Sequence, residues 1–276
     1  KRFDDAKLTE LVARTLRENH DLRIALARFA RANALLRATK FDRIPTITAQ
    51  ADASETRLSS DQAAAVPGGQ RNARSYNAGA ALSWELDLFG RVRNGVNAQV
   101  AETQAAGDDF RAMQVAIVGE VARDYFVLRG LQERLRVAQQ SAATQAETLR
   151  IVEAGLQAGR GTQFDSARAR AQLETTSSRV PALKAQISAT THHLAVLTGQ
   201  LPEALDTELS SAQALGDLLP SVDPGTPREV LLRRPDVAAA QASLAADHEH
   251  LGVARADLLP RFPMGGLIGP PAVLHG

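Results

Sequence analysis

Apolar residues recur every three or four positions over long stretches of this chain, and two short stretches switch to strict alternation. In residues 6–41, Leu8, Leu11, Val12, Leu16, Leu22, Leu26, Leu35 and Leu36 fall near helical spacing with Arg and Glu between them, which predicts one helix. Pro45 ends it, and because a proline pushes the preceding residue into extended geometry, a strand is expected to begin at Ile44. From Thr46 the period is two. Ile47, Ala49, Ala51 and Ala53 share one face, and Thr46, Thr48, Gln50 and Asp52 the other. A second alternating run sets Tyr76, Ala78, Ala80, Leu82 and Trp84 against Asn77, Gly79, Ala81, Ser83 and Glu85. Between the runs, Ser59-Ser60-Asp61, Pro67-Gly68-Gly69 and Arg71-Asn72 mark residues 57–73 as a loop. The two strands therefore make a hairpin over residues 44–86, each about 10 residues long, the length of a tilted strand crossing a bilayer.

Gly90 breaks the second strand, and a proline-free stretch then predicts a helix over residues 91–156, about 95 Å long at 1.5 Å per residue. Within it, Leu128, Leu131, Leu135, Ala138, Ala142, Gln145, Leu149, Val152 and Leu156 step by three and four, a sustained heptad seam. A return helix over residues 162–199 carries Leu173, Thr176, Val180, Leu183, Ile187, Thr190, Leu194 and Leu197 at the same steps, so the two form an antiparallel coiled coil. In the turn between them, Thr162 and Asp165 stand in the capping-box relation, and Gly159 and Gly161 can take positive φ. Pro181 is expected to kink the return helix. Pro202, Pro220, Pro224 and Pro227 then delimit a connector at residues 200–225.

Beyond the connector the opening pattern returns, predicting a helix over residues 228–258. Leu16, Asp21, Leu22, Ala25, Ala27, Ala30, Leu36, Asp42 and Pro45 are matched by Leu231, Asp236, Val237, Ala240, Ala242, Ala245, Leu251, Asp257 and Pro260, at a constant offset of 215 residues. A repeat of long period predicts a fold of two similar halves. Residues 1–225 are expected to form the first repeat and residues 226–276 the start of a second, most of which lies outside this sequence.

Composition supports long helices over a broad sheet. Aromatic residues are only 4% of the 276, too few for a dense globular core, and Ala, Leu, Gln, Arg and Glu dominate the middle of the chain. A net charge of +1, with acids interspersed among the arginines, leaves no basic face for nucleic acid. The absence of cysteine excludes disulfides, thiolate metal sites and a cysteine nucleophile. No apolar stretch follows Lys1-Arg2-Phe3-Asp4-Asp5, so this N-terminus is not a signal peptide. No apolar run reaches about 18 residues, which excludes a membrane-spanning helix but leaves a β-barrel open.

Catalytic and metal chemistry find little support. His192 and His193 are adjacent and diverge, and His248 and His250 are two apart, whereas ligand pairs on a helix need spacings of three or four. No Ser-His-Asp order, phosphate-cradling glycine loop or carboxylate pair stands in a site context, so neither an enzyme nor a cofactor or metal site is expected.

The segment Ser83-Trp84-Glu85-Leu86-Asp87-Leu88-Phe89-Gly90-Arg91 resembles the strand-to-helix junction of outer membrane factors, the TolC-like exit ducts of bacterial efflux pumps, and is nearest to their OprM/NodT-like lipoprotein branch. Asn19-His20-Asp21-Leu22-Arg23, Gly159 to Asp165 and Leu231-Leu232-Arg233-Arg234-Pro235-Asp236-Val237 match in the same order, so the resemblance runs to about residue 268. It implies a mainly α chain with a β-hairpin: a long antiparallel α-helical coiled-coil hairpin in a periplasmic tunnel, plus strands of a trimeric transmembrane β-barrel in the outer membrane. It also implies a homotrimer, outer-membrane lipid around the barrel, a periplasmic adaptor, an inner-membrane transporter of the RND type, and a part in multidrug resistance.

Three features depart from that pattern. The branch's signal peptide and lipid-bearing cysteine are absent, the second strand pair and second long hairpin are absent, and the tail from Gly269 to Gly276 fits a strand poorly. Two strands from each of three protomers make six, fewer than the eight of the smallest outer-membrane barrels. The rival reading is a periplasmic adaptor, which is also built on a coiled-coil hairpin but lacks membrane strands.

Two site regions follow. At the barrel–tunnel junction, Trp84 either anchors at the membrane–water interface or packs between barrel and tunnel. Asp87 can cap the next helix, Gly90 permits the turn, and Phe89 and Arg91 flank it. At the hairpin tip, the resemblance makes Gly155, Leu156, Gly159, Arg160, Gly161, Thr162 and Asp165 the contact with the adaptor, with Arg160 able to form an ion pair. The acidic constriction of the family belongs to the second hairpin and has no counterpart here.

Overall fold

The computed structural model describes residues 5–57, 59, 61, 72–211, 225–268 and 271–272. Its helices are α1 (Ala6–Glu18), α2 (His20–Phe41), α3 (Arg91–Gln157), α4 (Gln163–Ser177), α5 (Arg179–Leu197), a 3-10 turn at Pro202–Leu205, α6 (Pro227–Arg233) and α7 (Pro235–Ala256). Its strands are β1 (Thr46–Arg57), β2 (Asn72–Leu86), β3 (Phe262–Ile268) and the two-residue β4 (Pro271–Ala272). Most of the loop expected at 57–73, and the connector beyond Ser211, lie outside the described residues. The chain divides into one unit of Lys1–Ala27 with Asp109–Pro235 and another of Arg28–Asp108 with Asp236–Gly276.

In the first unit, α1 lays Leu8 and Leu11 against Val121, Tyr125 and Leu128 of α3 and Leu194, Ala195 and Leu197 of α5, with Leu205 and Leu209 closing the cluster. Polar bonds fasten its rim. The Tyr125 hydroxyl donates to Asp5 at 2.6 Å, and the Arg129 guanidinium lies 4.9 Å over the Tyr125 ring and donates to the Ser211 carbonyl. Gln132 donates to the Leu209 carbonyl, while Lys7 and Arg14 both pair with Glu208. Farther along α3, of residues 135–152 only Leu135, Ala138, Ala142, Gln145, Leu149 and Val152 are not exposed, and these are the heptad positions.

The helix expected over residues 6–41 is interrupted, because Asn19 takes extended ψ between α1 and α2. Asn19 is buried, its Oδ1 accepts from the Leu22 amide at 3.0 Å, and its Nδ2 donates to the Leu197 carbonyl at 2.9 Å. It thus caps α2 and ties that cap to the end of α5. The return helix expected over residues 162–199 likewise breaks at Ser178 and ends at Leu197. Pro181 lacks the N–H that would bond the Ser177 carbonyl, and its ring crowds that carbonyl, so the break falls just upstream of the proline. The helix expected over residues 228–258 breaks at Arg234, which Pro235 holds extended at ψ 119°. Even so, α7 begins and ends 215 residues after α2, both helices having 22 residues.

In the second unit, β1 starts two residues later than expected, at Thr46, and pairs antiparallel with β2. The register sets Ile47 opposite Leu82, Ala49 opposite Ala80, Ala51 opposite Ala78 and Ala53 opposite Tyr76. Directly opposed residues point to one side of a sheet, so the two apolar faces coincide. The sheet is larger than the hairpin expected: β3 adds antiparallel to the other edge of β2, with Met264 opposite Trp84 and Ile268 opposite Ala80, extending the same face. β4 also pairs with β2, placing Pro271 opposite Asn77.

Candidate functional site

At the hairpin tip, α3 ends in a Schellman arrangement. The Arg160 amide donates to the Gly155 carbonyl at 2.9 Å and the Gly159 amide to the Leu156 carbonyl at 3.0 Å, with Gly159 at φ 68°. Gly161 does not share the positive φ anticipated for it. It is small for another reason, since a side chain there would press on the Leu156 backbone at 3.3 Å. Thr162 then opens α4. Its hydroxyl accepts from the Asp165 amide at 3.1 Å and donates to the Asp165 carboxylate at 2.6 Å, and its own amide donates back to that carboxylate. These bonds to Thr162 hold the Asp165 carboxyl below its ordinary range.

The tip is therefore rigid in backbone and open in surface. Gly155 and Leu156 are half-buried and residues 157–165 are exposed. The Arg160 guanidinium makes no hydrogen bond or ion pair among the described residues. Phe164, absent from the residues singled out in the sequence, is 73% exposed, an aromatic ring in water at the second position of α4. The signal that could have found it is the position itself: an apolar residue in the first turn of a helix, off the heptad seam.

At the strand–helix junction, the amide of Leu88 turns back to the Leu86 carbonyl and Gly90 takes φ 79°. Asp87 spans the turn: its two carboxylate oxygens accept from the amides of Val92 and Arg93 at 3.0 and 2.8 Å, capping α3. Both oxygens are thereby engaged. Arg91 forms a two-pronged pair with Glu85 at 2.7 and 2.5 Å, locking the last turn of strand to the first turn of helix. Phe89 lies against Phe262 with ring centroids 6.4 Å apart. Trp84 is half-buried and lines two shallow clefts, one with Arg43, Arg93 and Asn97 and one with Ile44, Pro263 and Met264.

Both faces of the sheet are open. On the apolar face Ile47 is 71% and Ile268 80% exposed. On the other face Asn77 donates to Asp52 at 3.0 Å, while Glu85 is committed to Arg91. Elsewhere, the structure brings Glu120, Asp124 and His193 together, three residues that sequence reasoning did not connect because 69 positions separate Asp124 from His193.

The family model described as "Outer membrane efflux protein" matches residues 11–200, and the chain belongs to that family. It is 31% identical over 268 residues to a solvent efflux pump outer membrane protein of Pseudomonas putida, SrpC, covering 97% of this chain and 56% of that one. With the pyoverdine export outer membrane protein OpmQ of Pseudomonas putida it shares 33% over 270 residues, 96% of this chain and 57% of the relative. Its structure aligns with the outer-membrane channel OprN at a TM-score of 0.86 and 37% identity, covering 98% of this chain and 61% of that one. The chain thus spans little more than half the length of the relatives it matches.

Proposed function

We propose that this chain belongs to the outer-membrane exit duct of a tripartite efflux pump, working passively as a homotrimer and without a cofactor. One observation carries the reading: across three strands the register collects Ile47, Ala49, Leu82, Ala80, Met264 and Ile268 on one exposed face, which lipid covers at no cost. The opposite face, with Thr48, Gln50, Asn77 and Ser83, lines water. The α3–α4–α5 hairpin forms tunnel wall, and its tip meets a periplasmic adaptor that couples the duct to an energised inner-membrane transporter of the RND type. The relatives' cargoes range from solvents to pyoverdine and cations, which suits a duct whose selectivity is set by its pump.

Fractionation of cells making the native full-length protein tests this. The protein is expected in the outer-membrane fraction and to need detergent for release; release by salt alone contradicts the reading. At the tip, Phe164→Ala is expected to weaken adaptor capture about tenfold in a pull-down while leaving the trimer intact, because exposed aromatics carry a large share of contact energy. Unchanged capture removes the tip from the adaptor contact.

A further inference from the structure

Glu120 and Asp124 lie one turn apart on the same face of α3, and His193 meets them from α5. One ligand atom from each falls within 4.8 Å of the other two. The His193 Nδ1 is 2.6 Å from Asp124 Oδ2 and its Nε2 is 3.8 Å from Glu120 Oε1. Arg123 shares the cluster, its guanidinium 3.1 Å from Asp124 and 3.7 Å from Glu120. Two carboxyl groups face one guanidinium beside the imidazole. The Arg123 side chain is 67% exposed, so its release into solvent costs little.

The ligands are also held in place from below. Asp124, whose side chain is 10% exposed, precedes the buried Tyr125, and His193 precedes the buried Leu194, both members of the core that fixes α3 against α5. Glu120 and His193 leave the outer side open to solvent.

We propose that Glu120, Asp124 and His193 form a binding site for a divalent transition-metal ion that clamps α5 to α3. One imidazole and two carboxylates, with a position left for water, suit Zn²⁺, Co²⁺ or Ni²⁺ rather than Mg²⁺ or Ca²⁺, which prefer all-oxygen sets. Binding displaces the Arg123 guanidinium and the direct His193–Asp124 bond, with small rotations bringing the three donors around the ion. The inference does not depend on the export reading.

The test is calorimetric titration of Zn²⁺ into the chelator-treated full chain in detergent near neutral pH. One ion per chain is expected, together with a higher thermal midpoint. His193→Ala abolishes the site and Glu120→Gln weakens it at least about tenfold, since losing a direct ligand costs no less than losing an outer-shell partner. His250→Ala, which removes a separate surface pair with Glu102, leaves binding unchanged. If His193→Ala alters the far-UV spectrum, Glu120→Gln on its partly exposed side chain decides the matter. No saturable binding, or binding insensitive to both substitutions, overturns the proposal and leaves the cluster an ion pair only.

Discussion

Asn19 shows how much one side chain can do in this fold. It ends α1, caps α2 and holds the last turn of α5, all from a buried position. Asn19→Ala removes the cap and strands the Leu197 carbonyl, so urea unfolding is expected to report a loss of about 2–3 kcal/mol. A loss below about 0.5 kcal/mol would place the helix break in packing instead. Charge acts at the same scale. Burial opposes ionisation of Glu208, yet Lys7 and Arg14 outweigh it and hold the carboxyl below its ordinary range. Asp5 is likewise lowered, burial being outweighed by the bonds from Tyr125 and the Leu8 amide. Groups with depressed folded pKa values stabilise above their unfolded values, near pH 4, and that contribution is lost as pH falls through the folded values. The urea midpoint should therefore be nearly flat from about pH 7 to 5 and drop below about pH 4, with Glu208→Gln shallower in that acid limb.

Among the elements, the break between α4 and α5 follows from Pro181, four residues beyond the carbonyl it cannot serve. Pro181→Ala supplies that donor, so amide exchange over residues 178–182 should slow and stability rise by about 1 kcal/mol. Exchange as fast as in the parent would assign the break to packing against α3. The heptad seam, the capping box and the two alternating strands were legible in the sequence, because period and local spacing specify each one. The breaks at Asn19 and Arg234 were harder to see. Asn19 looks like any polar helix position until Leu197 arrives from 178 residues away, and Arg234 required weighing Pro235 against a strong apolar period. β3 also escaped, since Pro263, Gly265 and Gly266 blur its alternation and only pairing with β2 gives it a register. At the tip, the cap could be read from Thr162 and Asp165, but the exposure of Phe164 could not, because solvent contact is a property of the folded surface.

For the whole molecule, the export reading rests on the sheet. A bare sheet with an apolar face is a poor surface in water and a sound one in lipid. No residue of this sequence is a cysteine, so each label enters it by one substitution. The most direct test is spin-label accessibility along β1 and β2 in outer membranes carrying the native full-length protein. Labels at Ile47, Ala49, Ala80 and Leu82 should be relaxed by oxygen dissolved in lipid, and labels at Thr48, Gln50, Ala81 and Ser83 by a water-borne nickel chelate, in strict alternation. Uniform access to the aqueous relaxant on both faces would contradict the account.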